Sequence, residues 1–325
     1  VWEEAIVYAP PGMQLVGLSA TVANSGQLAD WIAEVHGPTE LVYSDYRPVP
    51  LEFNYCSGRG MFPLLDRAGK AINPKIRPQK LKKGKFTKRS KKPPRPRPLA
   101  PSFVVSKLAE RDMLPAIYFI FSRRGCDKAV AEMGTFSLLD AEQTDRIAKI
   151  IDAFVEENPG AVRESQLEPL YRGIAAHHAG VLPAWKSLVE SLFQQGLIKV
   201  VFATETLAAG INMPARATVI AGLSKRTDSG HRLLTASEFL QMAGRAGRRG
   251  MDDRGYVVAL ESPFEGAKEA AHLATIGADP LVSQFTPTYG MVLNLLQIHS
   301  LDRAKDLVER RSEEHTSELQ SPDHL

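Results

Sequence analysis

At 325 residues and 44% hydrophobic content, the chain is long enough for two domains or more, each with a buried core. Its two cysteines, Cys56 and Cys126, lack metal-ligand spacing, which excludes a disulfide framework and suits a reducing compartment; no apolar run approaches the ~18 residues of a membrane span. The net charge of +3 hides a division, because Lys70 to Pro98 carries 13 Lys/Arg and no acid, so that 27 basic residues face 37 acidic ones elsewhere.

The chain opens on Val1 with no signal-peptide pattern and reads as an internal piece of a longer protein. Gln14 to Leu18 is a short apolar run, expected as a strand that ends at Ser19-Ala20-Thr21. A helical pattern runs from Gln27 to Val35, with Gly37 as its stop. Leu41 to Tyr43 and Leu51 to Tyr55 read as strands. The Pro-, Lys- and Arg-rich segment 70–98 cannot form a core; it can grip a phosphate backbone without reading sequence, or serve as a solvated tether. Order resumes near Ser102, and from there strands and helices alternate.

Ala116 to Phe121 is nearly all apolar, as in a strand buried on both faces. Cys126 to Met133 and Ala141 to Val155 read as helices, and Ile174 to His177 as a strand. Pro183 sits at a helix start, where its missing N–H costs nothing; the stripe Trp185, Leu188, Val189, Leu192, Phe193 follows at helical spacing, closed by Gly196. Ile198 to Ala203, Thr218 to Ala221 and Tyr256 to Leu260 supply further strands. Such alternation predicts an α/β fold, a parallel sheet with helices on both faces. Ala267 to Glu309 reads as mostly helical. Arg311 to Ser321 matches the in-frame translation of a common sequencing-library adapter, so 311–325 are expected to lie outside the fold.

The most informative stretch is Gln241-Met242-Ala243-Gly244-Arg245-Ala246-Gly247-Arg248-Arg249-Gly250, which sets three arginines among small residues after the amphipathic run Ala236 to Met242. A guanidinium offers a planar fork of donors that matches phosphate oxygens, with a charge that cannot be titrated away. Glycines let the backbone approach a ligand or a facing domain. Offered across a cleft to a γ-phosphate, such an arginine is worth ~10³–10⁵ in rate. The plainer alternative is a solvated basic turn.

Open parallel sheets bind ligands beyond the carboxyl ends of their strands, where Ser19-Ala20-Thr21, Thr204-Glu205-Thr206 and the arginine stretch are all expected. Thr204 and Thr206 can cap the next helix or donate to a phosphate. His177-His178 has no carboxylate or cysteine at ligand spacing, and suits a backbone-shaping or phosphate-contacting pair better than a metal site.

In this order the motifs resemble those of the superfamily 2 RNA helicases, in the DExH-box group of the superkiller and exosome-associated type. Ser19-Ala20-Thr21 is similar to the triplet that couples nucleotide hydrolysis to unwinding, and Ile117 to Cys126 to the fourth motif. Ala176 to Gly180 resembles a strand-contacting loop, Ala203 to Ala215 the fifth motif and Gln241 to Gly250 the sixth. Leu281 to Phe285 with Tyr289 to Asn294 resembles the opening of a winged-helix domain. The resemblance implies a RecA-like domain over 101–262, the tail of a first RecA-like domain over 1–50, a linker over 51–100 and a truncated winged-helix start over 263–310.

It also implies roles. Arg245 and Arg248 reach the ATP γ-phosphate, with Arg248 the preferred finger, and Gln241 helps to position the phosphate or water. Gly210, Asn212 and Gly244 lie near the nucleotide, and Ser19, Ala20 and Thr21 couple hydrolysis to movement. Arg123, His178, Thr204 and Thr206 lie on the nucleic-acid side. The implied activity is ATP-dependent RNA unwinding of 3′-to-5′ polarity. Mg²⁺ is its implied cofactor, and an RNA-processing or degradation complex a candidate partner.

The chain departs from the family pattern in two places. No G-x-x-x-x-G-K-[ST] occurs, since Gly69-Lys70 is followed by Ala71 and Gly84-Lys85 by Phe86, and no Asp-Glu-x-His is present. The phosphate cradle and the Mg²⁺-holding acid are therefore expected upstream of Val1, and the fragment alone is expected to lack ATPase activity. Two rivals stay open: a DNA-directed helicase of the same superfamily, and an ATP-independent nucleic-acid-binding module driven by 70–98. The wording of Met113 to Phe121 and Leu223 to Thr227 is most similar to chloroplast and cyanobacterial members, which favours the chloroplast over nucleus or cytoplasm.

Overall fold

The computed structural model describes residues 2–7, 9–10, 12–19, 22–69, 71–76, 98–208, 212–227, 230–282 and 288–305. Among them the strands are β1 (Leu51–Ser57), β2 (Gly60–Pro63), β3 (Ala116–Phe119), β4 (Ile174–His177), β5 (Val200–Ala203), β6 (Ala217–Ile220), β7 (Ser224–Thr227), β8 (Gly230–Leu233) and β9 (Gly255–Leu260). The helices are α1 (Trp2–Val7), α2 (Ser25–Val35), α3 (Pro101–Ala109), α4 (Arg123–Glu132), α5 (Ala141–Glu157), α6 (Glu164–Tyr171), α7 (Pro183–Gln194), α8 (Ala236–Ala243), α9 (Ala267–Thr275) and α10 (Tyr289–Ile298). They divide into two units, 46–277 and the pair of segments 1–45 with 278–325.

The larger unit is a seven-stranded sheet in the order β2-β1-β9-β6-β3-β5-β4. Six of its strands are parallel and β2 adds antiparallel to β1 at one edge. Side chains alternate across the sheet, so a strand buried on both faces must be apolar at every position. Ile117, Phe119, Ala175, Val201, Ala203, Ile220, Val257 and Ala259 enter one core, with α5, α7, α8 and α9 packed on it. Tyr118, Ala176, Val200, Phe202, Val219 and Val258 enter the other, under α3 and α4. The stripe of α7 is buried as expected, and each of its large side chains contributes roughly 1.5–3 kcal/mol. Asp140 caps α5 by accepting from the Gln143 N–H at 2.8 Å.

Several expectations are corrected. Gln14–Leu18 and Leu41–Tyr43 are not strands: Val16, Leu18 and Val42 are more than four-fifths exposed. A strand exists through its neighbour's hydrogen bonds, and no strand of the described residues pairs with either run. The expected linker 51–100 begins inside the sheet, since β1 runs parallel to β9 from Leu51↔Gly255 to Cys56↔Leu260. Helix α9, expected beyond the sheet domain, buries Ala270 and Leu273 in the same core as Tyr55. In the smaller unit, the rings of Trp2 and Trp31 meet edge to face at 5.9 Å, and α10 buries Met291 and Leu295. Most of the basic segment, 77–97, and all of 311–325 lie outside the described residues.

Candidate functional site

The first cluster stands at the carboxyl edge of the sheet. Phe119, His177 and Ala203 lie in register on β3, β4 and β5, so the chain leaves all three strands side by side. Beyond β3, Ser122 caps α4 by accepting from the Gly125 N–H at 3.2 Å. Arg123 is the first residue of that helix and is exposed. Beyond β5, the hydroxyls of Thr204 and Thr206 meet at 2.9 Å at the start of a 3₁₀ turn, Glu205–Ala208.

Beyond β4, His178 is buried rather than displayed. Its Nδ1 accepts from the Gly180 N–H at 3.1 Å, which places the ring proton on Nε2, and Nε2 donates to Asp127 of α4 at 3.2 Å. Asp127 also accepts from Gln166 and, at 3.3 Å, from Arg163. A Cβ at Gly180 would lie 3.2 Å from the His178 ring and 3.7 Å from Arg123 Cδ, so this loop sits against Arg123. His178 thus shapes the loop, and the side chain exposed beside it is Arg123. His177 is buried too, 2.8 Å from Glu190, and burial lowers its pKa despite that carboxylate. Asp127 lies 51 residues before His178 and Glu190 lies 13 after His177, both beyond ligand spacing, which is why spacing along the chain did not reveal them.

The second cluster is the arginine stretch, and its position corrects the expectation of a carboxyl-edge site. Helix α8 runs back across the sheet and the stretch then leads into β9, so it stands at the amino edge. There Ala215, just before β6, bridges to Ala246: its N–H donates to the Arg245 carbonyl at 2.9 Å and its carbonyl accepts from Gly247 N–H at 2.8 Å. Arg47 clamps the same turn, donating through Nη2 to the Ala246 carbonyl and through Nε to the Val49 carbonyl, both at 2.8 Å. Close approach explains two glycines. Gly247 has φ +85°, and a Cβ there would lie 2.6 Å from Val49 Cγ1; a Cβ on Gly255 would lie 2.6 Å from the Gly247 nitrogen.

Within the turn, Arg248 grips Asp252 side-on, Nε to Oδ2 at 2.8 Å and Nη2 to Oδ1 at 2.8 Å, while its own N–H donates to Oδ2 at 2.9 Å. Burial of Asp252 works against its charge, but the bonds from Arg248 prevail and hold its pKa below the ordinary value. Arg245 points the other way: Nε donates to the Ala208 carbonyl at 2.9 Å and Nη2 donates to the same oxygen. Gln241 and Gly244 are exposed at the end of α8.

The segment 204–216 connects the two clusters. It leaves β5 at the carboxyl edge with Thr204 and Thr206 and reaches β6 at the amino edge. Asn212 is exposed on it, its carbonyl accepting from Gln194 at 3.2 Å. A second link runs through Lys225 of β7, whose Nζ reaches Glu205 at 2.9 Å and Glu238 of α8 at 2.7 Å. Gly210, Ala20 and Thr21 lie outside the described residues; Ser19 is exposed and belongs to the smaller unit. Among the described residues no three His, Cys, Asp or Glu side chains converge as metal ligands.

The mostly parallel seven-stranded sheet with its surrounding helices has the α/β RecA-like arrangement of a helicase C-terminal domain. The helicase conserved C-terminal domain matches residues 150–250. The chain is similar along nearly its whole length to DExH-box RNA helicases. It is 46% identical to the DExH-box ATP-dependent RNA helicase DExH15, chloroplastic, of Arabidopsis thaliana, over 91% of this chain and 28% of that protein. It is 40% identical to the probable helicase HelY of Mycobacterium tuberculosis over 95% of this chain and 37% of that one. With the human exosome RNA helicase MTR4 it shares 37% over 93% of this chain and 30% of that protein. The chain thus spans about a third of the length of these relatives.

Proposed function

We propose that the full-length protein is an ATP-driven RNA helicase, and that this segment supplies its strand-gripping edge and its arginines. A motor of this kind hydrolyses ATP between two RecA-like domains. One holds the triphosphate and Mg²⁺, and the other offers arginines to the developing charge. The donor set at the amino edge fits the second of these roles. Arg245 and Arg248 carry the forked charges, Gln241 and Gly244 lie open beside them, and Asn212 closes the same edge. The phosphate cradle and Mg²⁺ ligands come from the partner RecA-like domain, of which residues 1–45, with Ser19-Ala20-Thr21, form the end.

At the carboxyl edge, the exposed Arg123 at the start of α4 binds an RNA phosphate, assisted by the helix dipole, while His178 and Asp127 fix the loop beside it. Thr204 and Thr206 donate to the same backbone. The observation that carries the reading is the Arg245–Ala208 contact, which ties the arginine stretch to the segment that starts at the strand-gripping threonines. Hydrolysis and grip are then linked through that hydrogen bond. The chloroplast is the compartment we favour, on the likeness to the Arabidopsis protein, and an RNA-processing or degradation complex is the partner we favour, on the likeness to MTR4.

The test is strand displacement and ATPase by the full-length protein on a duplex with a 3′ single-stranded tail, compared with the same duplex in DNA. RNA-stimulated turnover that unwinds RNA supports the proposal. Equal or greater stimulation by DNA would move it to the DNA-directed class. RNA-stimulated turnover by the 1–325 segment alone would overturn the division of labour between domains.

A further inference from the structure

Asp252 is the most deeply enclosed carboxylate at the arginine edge, its side chain 1% exposed against 19% for Arg248. A buried carboxylate is costly unless paired, so its place in the turn calls for an explanation. It takes three hydrogen bonds from one residue, Arg248, through the backbone N–H, Nε and Nη2. Arg216 adds only a 3.6 Å approach to Oδ1, and its own Nη1 is engaged by Asp112 at 2.6 Å. The turn itself is closed by the N–H groups of Met251 and Asp252 donating to the Arg248 carbonyl at 3.1 and 3.0 Å. Main chain and side chain of Arg248 are therefore fixed by the same four-residue step.

The geometry of the pair is specific. An arginine can be gripped end-on, which occupies both terminal nitrogens, or side-on, which occupies Nε and one of them. Asp252 uses the side-on form, and Nη1 of Arg248 makes no hydrogen bond among the described residues, with the Asp112 carboxylate acting on the guanidinium through its charge alone. We propose that Asp252 is a positioning residue for ATP hydrolysis: it holds the guanidinium by its inner edge so that the Nη1 corner is aimed at the triphosphate. Unrestrained, an arginine must give up its rotamer freedom as the transition state forms, a cost that prior orientation removes. The pairing also reduces the net charge that Arg248 presents, so orientation is gained at some expense in attraction. Arg248→Lys cannot replace it, because an ammonium has no second edge.

This inference rests on the finger role proposed above for Arg248, and the experiment separates the two. In the full-length protein, Asp252→Asn is expected to lower kcat for RNA-stimulated ATP hydrolysis about tenfold or more, with KM for ATP and Kd for RNA within about twofold. Arg248→Ala should lower kcat further, and adding Asp252→Asn to it should lower it no more, because a positioning residue has nothing left to position. An unchanged kcat in Asp252→Asn, or additive effects in the double variant, would overturn the inference and leave the finger role standing. An unchanged kcat in Arg248→Ala would overturn the finger role itself. Should Asp252→Asn melt below the assay temperature, Asp252→Glu decides. It keeps the charge but shifts the carboxylate by one methylene, so a folded variant with kcat lowered threefold or more supports the inference and full activity overturns it.

Discussion

Lys225 and Glu238 meet at 2.7 Å, and through that contact the β7–β8 hairpin is tied to the helix that leads to the arginines. Glu238 also accepts from both terminal nitrogens of Arg232, at 2.8 and 2.7 Å, and from the Thr235 N–H at 2.9 Å in the capping box of α8. One carboxylate thus starts the helix and anchors the hairpin.

The hydrogen bond from Arg232, and after it those from Lys225 and the Thr235 N–H, outweigh burial and hold Glu238 down to about 2, from an ordinary 4.5. A carboxylate with a lowered folded pKa stabilises above its unfolded pKa and ceases to as pH falls through the folded one. The network's contribution should therefore disappear between about pH 4.5 and pH 2. Glu238→Gln should lower stability at pH 7 by about 1–3 kcal/mol. Urea midpoints of both proteins should converge toward pH 2, and curves that stay parallel would contradict this.

Gly247→Ala should destabilise the sheet unit by about 2–4 kcal/mol, since the new Cβ meets Val49 and must adopt a left-handed backbone. Adding Val49→Ala should restore part of the loss, leaving the ~1–2 kcal/mol backbone penalty. Thermal melts of the single and double variants check this; no recovery in the double variant would argue against the contact.

Arg123→Ala should weaken RNA binding by the full-length protein without changing its sequence preference, and should reduce the salt slope of log K by about 1. Asp127→Asn should weaken binding too, through the loop that His178 holds, but with the slope unchanged, because no phosphate contact is deleted. Titrations at several salt concentrations separate the two.

Burial pushes the thiols of Cys56 and Cys126 up to about 11 and about 12. Both are fully enclosed. Neither should react with an aromatic disulfide reagent at pH 8 within minutes in the native state, and both should react at once in denaturant. Rapid native labelling of either would show that its part of the sheet opens readily.

The strands of the sheet were legible because burial on both faces forces apolar side chains at every position, as in Ala116–Phe119 and Val200–Ala203. Helix α7 was legible from its apolar stripe, with Pro183 marking its start. The exposed hairpin Ser224–Leu233 escaped notice because polar strands leave no such signature. Val16, Leu18 and Val42 misled for the converse reason: apolar composition marks a strand only where another strand accepts its hydrogen bonds.

The sequence by itself determined the α/β class and the likeness to helicases, since both depend on residue types at short spacing. Only the tertiary structure decided that the arginines stand at one edge of the sheet and Arg123, Thr204 and Thr206 at the other. It alone decided that His178 is enclosed by Asp127 and that Arg248 is held by Asp252 in a side-on grip. Which way a guanidinium faces depends on a carboxylate's position in space, and that position is set by how strands and turns pack.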